Sequence, residues 1–176
     1  MTSSAPSRVI VVALDHTPTA AQALSYALDN VVRQGDKLVL LSVGVTDTLE
    51  WADVDELATG SREADGKQAA EQQATELLRR AEEIVKHRFA NNEQITVVTR
   101  PVVGSSGVHN TIVEICDTVR ATMLVIGSRN LPGLKRIILG STSDDVAHKA
   151  RCPVLIVKEN QPSPTGGSRW PAWAKL

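Results

Sequence analysis

The chain has 176 residues, of which 42% are hydrophobic and only 3% aromatic, and its formal net charge is −1. That length suffices for one domain with a full core, and the core has to be aliphatic, the usual filling of a parallel sheet buried on both faces. The charge balance excludes a global field that would draw in nucleic acid or an acidic membrane surface. No run of about 18 apolar residues is present to span a bilayer, and the opening MTSSAPSR lacks an apolar signal core, so the chain reads as cytoplasmic.

Residues 1–6 read as a disordered N-terminus, and RVIVVAL (8–14) is the first apolar run. In 18–34 the apolar residues Ala21, Leu24, Leu28 and Val31 recur at steps of three and four, which predicts a helix. Thr17 is placed to cap it, Pro18 suits its first turn, and Gly35 is expected to end it. KLVLLSVGV (37–45) is the second strand-like run. Residues 46–65 are polar and acidic and read as unstructured apart from one helical turn around Trp51. A long polar helix is expected over 66–90, with Leu77, Ala81, Ile84 and Val85 facing inward. QITVVTRPVVG (94–104) is the third run, and a helix follows over 108–120 with Ile112, Ile115, Cys116 and Val119 on its apolar face. TMLVIG (122–127), a short helix over 142–150 and PVLIVK (153–158) complete the series. The tail 160–176 is rich in Pro, Gly and Ser, carries Trp170 and Trp173, and reads as disordered. Cys116 and Cys152 form no CxxC and are expected to serve as small buried hydrophobes.

Five short β-branched runs alternating with helices predict an α/β fold: an open, doubly wound, five-stranded parallel sheet with helices on both faces. Pro101 lies inside the third run and cannot donate to a ladder, which puts that strand at an edge. An order 3-2-1-4-5 satisfies this and reverses the winding between strands 1 and 4. Ligands of open α/β sheets bind at the carboxyl ends of the strands flanking that reversal. Those ends are Ala13-Leu14-Asp15 and Ile126-Gly127-Ser128.

The second of them opens GSRNLPGLKRIILGSTSDD (127–145). Gly127 and Gly140 allow close backbone approach. Ser141 is placed to cap the last helix, with Asp144 as its capping-box partner. That helix start offers free N–H groups and a positive dipole end to an anion, Ser141, Thr142 and Ser143 add hydroxyls, and Arg129, Lys135 and Arg136 add charge. Asp15 is suited to accept from an adenine amino group or a ribose hydroxyl. A tight turn followed by an ordinarily capped helix would account for the same spacing. The chain holds no G-x-x-x-x-G-K-[ST], G-x-G-x-x-G, G-x-S-x-G or HExxH, and His16, His87, His109 and His148 are scattered.

Over residues 7–159 the chain resembles the universal stress protein domain, through VIVVALDHTPTAAQALSYAL, KLVLLSV, VVGSSGVHNTIVEICDTVRATMLVIGSR and, most specifically, GLKRIILGSTSDDVAHKARCPVLIVK. The resemblance implies the 3-2-1-4-5 sheet. It also implies ATP, with Mg²⁺, bound through a loop G-x2-G-x9-G-[ST], which some members have and others lack. Gly127 matches the first glycine, and Gly140 with Ser141 matches the terminal pair at the right spacing. Asn130 stands in place of the second glycine. By family position Ala13, Leu14, Asp15 and Val43 would surround adenine and ribose. Ile126, Gly127, Arg129, Asn130, Gly140, Ser141, Thr142 and Ser143 would line ribose and phosphates. If position 130 needs positive φ, asparagine costs about 1 kcal/mol relative to glycine; if phosphate lies against it, the amide either blocks the site or donates to it.

Two functions compete: a regulatory ATP-binding module, with hydrolysis at most slow, and a nucleotide-free homodimeric interaction protein whose site has decayed at Asn130. An α/β transferase using the same cleft is a distant third. The last strand, Pro153, Val154, Leu155, Ile156 and Val157, would be an uncharged open edge, which predicts antiparallel pairing with a second copy of itself. The resemblance supports that pairing.

Overall fold

The computed structural model describes residues 8–45, 59–89, 95–104, 107–128 and 140–158. The elements run β1 (Val9–Ala13), α1 (Pro18–Asn30), β2 (Lys37–Gly44), α2 (Thr59–Arg88), β3 (Thr96–Val103), α3 (Val108–Thr118), β4 (Met123–Ser128), α4 (Ser141–Lys149) and β5 (Val154–Lys158). The strands form one sheet in the order β3-β2-β1-β4-β5, and every neighbouring pair is parallel.

Strand alternation divides the core into two layers. Ile10, Val12 and Leu14 of β1 and its extension, with Leu38, Leu40 and Val125, face α1 and α2. Val11, Ala13, Val39, Leu41, Leu124 and Ile126 face α3 and α4. The central strand β1 is therefore apolar at every position, because both of its faces are covered. Each fully buried Leu or Ile contributes about 1.5–3 kcal/mol relative to an exposed one. β3 is more exposed, and its Pro101 pairs with Ser42 at the sheet edge, where a missing N–H costs no ladder bond on the open side.

Thr17 caps α1 as expected: its side chain accepts from Ala20 N–H at 3.3 Å, and Pro18 opens the helix. The helix ends earlier than expected, at Asn30, with Val31 as its cap. Gly35, at φ +86°, shapes the turn into β2 instead of closing the helix. α2 begins at Thr59, not near residue 66. Ala70 and Ala74 bury its first half, a thin alanine stripe among polar residues that periodicity in large side chains overlooks. Ala70 lies so close to β2 that a Cβ on Gly44 would stand 2.8 Å from its carbonyl oxygen. The helical turn expected around Trp51 and the tail with Trp170 and Trp173 lie outside the described residues. Cys116 is buried as expected, while Cys152 is only partly buried; the two thiols neighbour each other beneath the second layer.

Among the described residues no helix is long and apolar enough to cross a membrane.

Candidate functional site

β1 has β2 on one side and β4 on the other, and the connections leave it in opposite directions. Among the described residues the carboxyl ends of β1 and β4, at the point of reversal, open into a cavity of about 290 Å³. Ala13, Leu14, Asp15, Val43, Ile126, Gly127, Gly140, Ser141, Thr142 and Ser143, all singled out in the sequence, line this one cavity. Arg129 and Asn130 lie outside the described residues, as do Lys135 and Arg136.

Asp15 is exposed and already engaged. Its Oδ1 accepts from the Thr17 backbone N–H at 3.0 Å and from the Thr17 hydroxyl. The Thr17 hydroxyl thus donates to Asp15 while accepting from Ala20 N–H, and the carboxylate is held against the first turn of α1, where the helix dipole favours a negative charge.

The two glycines of the loop differ. A Cβ on Gly127 would stand 2.7 Å from the Thr19 carbonyl oxygen and 3.0 Å from the Ala20 nitrogen. Gly127 is there so that α1 can pack against β4, and the close approach is by the protein's own backbone. A Cβ on Gly140 would meet only Ser143 Oγ, at 3.7 Å, among the described residues, and its φ of −59° suits any residue. The fold described here does not require glycine at 140.

Gly140 is also the N-cap of α4, and no side chain caps the helix. Ser141 is the first helical residue, so the expected capping box of Ser141 with Asp144 does not form. The carbonyl of Gly140 accepts the Asp144 N–H at 2.9 Å, the first bond of the helix. The N–H groups of Ser141, Thr142 and Ser143 precede that bond and have no acceptor within the helix. They make the α4 wall of the cavity its natural place for an anion.

Sequence reading missed part of the lining. Thr17 and Ala20 of the α1 start, Leu41 and Val45 along β2, Val108 and Ile112 of α3, and Ser128 also face the cavity. Ser128 carried a signal, since it follows Gly127 at the strand end. Val108 and Ile112 carried none, because their inward face is shared between core and cavity. α3 is held beside α4 by His109 Nδ1, 3.6 Å from Asp145 Oδ2, and by Lys149 Nζ donating to Asn110 Oδ1 at 3.3 Å.

The cavity thus has an aliphatic wall from β2 and α3, one carboxylate at its α1 rim among the described residues, and a wall of hydroxyls and of N–H groups without an acceptor in the helix at α4. Such a site suits a ligand with a flat apolar part and an anionic part.

Relatives share the architecture. The 26% identity with universal stress protein MJ0577 of Methanocaldococcus jannaschii extends over 148 residues, 82% of this chain and 90% of that one. A structure determined for MJ0577 superposes with a TM-score of 0.63 over 88% of this chain and 97% of the other, at 25% identity. A universal stress protein in complex with cAMP matches with a TM-score of 0.57 at 25% identity, over 87% of this chain and 98% of that one. A family protein of Arabidopsis thaliana with AMP bound shares the fold, with a TM-score of 0.58 at 20% identity over 89% and 97% of the two chains. Other relatives are matched over less of their length: 29% of universal stress protein MJ0531 of the same archaeon and 50% of a Mycolicibacterium smegmatis universal stress protein. The Universal stress protein family matches residues 6–158, and with the reversed sheet and its open carboxyl end in place, the chain belongs to that family.

Proposed function

We propose that the protein is a cytoplasmic regulatory module that binds an adenine nucleotide, ATP with Mg²⁺ in the first instance, at the carboxyl ends of β1 and β4. The observation that carries this reading is the convergence of Asp15 and Val43 with Gly140–Ser143 on one cavity. Asp15, Leu14, Ala13 and Val43 would hold the adenosine part, and the N-terminal turn of α4 the phosphates. Ile126 and Gly127 would lie between them, and Arg129 and Asn130 would complete the phosphate side. The relatives with cAMP and AMP support the ligand class. Asp15 is the one carboxylate among the described lining residues, and its Oδ1 is committed to Thr17. Mg²⁺ would therefore be carried in by the phosphates as their counter-ion, not by a protein cage. Two free cysteines suit a reducing compartment.

Calorimetry with ATP, ADP and AMP at millimolar concentration, with and without Mg²⁺, tests the reading. Saturable heat with at least one of them is expected. No heat and no thermal shift with any would overturn it in favour of a nucleotide-free interaction protein with a decayed site.

We also propose a homodimer through β5, because that strand is the second edge of the sheet. Leu155 and Val157 pack into one core layer and Val154 and Ile156 into the other, so charging Leu155 would injure the core. The backbone is the better target. Leu124 N–H donates to the Pro153 carbonyl, so Val154 and, by alternation, Ile156 turn their backbone groups away from β4. Ile156→Pro removes an outward donor and no bond to β4, at the expense of some Ile156 packing on the second core layer. Sedimentation across a concentration series is expected to show a wild-type dimer and a folded Ile156→Pro monomer. A wild type that is monomeric at tens of micromolar would refute the pairing.

A further inference from the structure

Ser128 ends β4, and Gly140 starts α4, with residues 129–139 between them. The Gly140 N–H donates to Ser128 Oγ at 3.3 Å. Ser143 Oγ lies 3.3 Å from Ser128 Oγ and donates to the Gly140 carbonyl at 2.9 Å. A hydroxyl has one hydrogen. With that of Ser143 spent on the carbonyl, the contact between the two hydroxyls uses the hydrogen of Ser128. The bonds then close on themselves: Gly140 N–H to Ser128, Ser128 to Ser143, Ser143 back to Gly140 C=O.

Two of the three contacts, at 3.3 Å, are longer than the ordinary hydrogen-bond ranges. Burial is what enforces them. Ser128 is 4% and Ser143 3% exposed, so neither hydroxyl can exchange its partner for bulk water.

We infer that Ser128 is a positioning residue of the cavity: through this ring it sets the start of α4 against the end of β4, and it withdraws Ser143 from the groups that touch ligand. Ser141 and Thr142 remain as the hydroxyls offered to an anion. This division rests on the nucleotide-binding reading above and assigns Ser143 differently from its placement by family position, where it would contact phosphate. The ring fixes Gly140 through its own N–H and C=O, without using the N–H groups of the first turn of α4.

The test uses the full chain and two readouts. The first is amide hydrogen exchange at Gly140 in ligand-free protein, compared among wild type, Ser128→Ala, Ser143→Ala and the double variant. Both single variants are expected to exchange about tenfold faster than wild type at Gly140, with distant sites in β2 unchanged. The second is calorimetry with AMP as the probe. Ser128→Ala and Ser143→Ala are each expected to bind roughly threefold to tenfold more weakly, the scale of one hydrogen bond. Because both break one ring, the double variant is expected to be no weaker than either single one. Unchanged exchange at Gly140 in both variants would overturn the ring. Losses that multiply in the double variant would show that Ser143 meets the ligand by itself, and would overturn the division of roles. Faster exchange with unaltered affinity would overturn the positioning role. A wild type that binds no nucleotide would sink the proposed function alone, and the exchange comparison would still decide the ring. Ser143→Ala keeps the test open should Ser128→Ala fail to fold.

Discussion

Two aspartates at opposite ends of the sheet show how differently this protein uses the same side chain. Asp36 lies at the amino end, just before β2, and is 4% exposed. Its carboxylate accepts from Arg8 Nε at 2.9 Å and Nη2 at 2.5 Å and from the Arg33 N–H at 2.8 Å. Arg8 also reaches the Val31 carbonyl at the end of α1, and the Asp36 carbonyl takes the Thr96 N–H of β3. One residue thereby ties together β1, α1, β2 and β3. Asp15 lies at the carboxyl end, is exposed, and among the described residues accepts from its neighbour Thr17. The amino end pairs its buried carboxylate internally. The carboxyl end leaves an exposed carboxylate and the first N–H groups of α4 beside a cavity. That asymmetry separates groups that hold the fold from groups available for a ligand.

The comparison is broken most severely at Arg8. Arg8→Met leaves the Asp36 carboxylate buried without its cation and is expected to destabilise the fold by about 3 kcal/mol. Denaturant midpoints at equal m-value measure it. Nucleotide affinity should be unchanged in the fraction that remains folded.

The two glycines sharpen the contrast within the carboxyl end itself. Gly127→Ala drives a Cβ into backbone atoms of Thr19 and Ala20, which cannot swing away as a side-chain tip would. It is expected to cost about 2 kcal/mol of stability, the scale of an overpacked core. Gly140→Ala meets nothing closer than 3.7 Å among the described residues and should leave the ligand-free melting temperature within error. Its effect should fall on binding, about tenfold or about 1.4 kcal/mol, by calorimetry. Equal stability losses at both positions would erase the distinction.

A smaller effect belongs to the amino end, where Cys116 is buried in the last turn of α3 with Cys152 nearby. Burial pushes the Cys116 thiol up to about 12, and Cys152 adds to the shift. The unfolded chain releases this proton near the ordinary value of 9.0, while the native state keeps it. Below that value both states hold the proton and pH has no effect through this group. Above it only the unfolded state ionises, so stability falls as pH rises from about 9 toward 12. The expected loss is about 1 kcal/mol by pH 10. Urea titrations at pH 8 and pH 10 should show it in wild type and to a smaller degree in Cys116→Ala, where Cys152, also pushed up by burial, remains.

The smallest expected effect is the most specific to the α4 start. Ser141 is not the cap, so Ser141→Ala should change stability by less than about 0.5 kcal/mol. A true N-cap serine would cost about 1 kcal/mol. A loss of that larger size in thermal melts would restore the capping box that the structure replaces with Gly140.

Much of this was legible in the residues alone. Continuous apolar runs such as RVIVV and KLVLL need two covered faces, so they specify a parallel sheet wherever they sit in the chain. Pro101 marks an edge because a proline nitrogen has no hydrogen to give. Those local rules, with right-handed crossovers, were enough to bring Asp15 toward Gly127 and Gly140 before any contact was known. What they did not decide were the identities that depend on which atoms approach from another element. Gly127 is glycine because of Thr19 in α1, with four elements between them in the chain, which nothing in its own neighbours reveals. The cap of α4 is Gly140 and not Ser141, and its N–H is held by Ser128, twelve residues earlier in the chain. Ala70 and Ala74 became core because β2 ends in Gly44, which lets α2 approach closely. Periodicity and turn chemistry act within a few residues and can be read along the chain. Close approach and buried hydrogen bonding join residues far apart in sequence, and only the folded arrangement brings their atoms within reach.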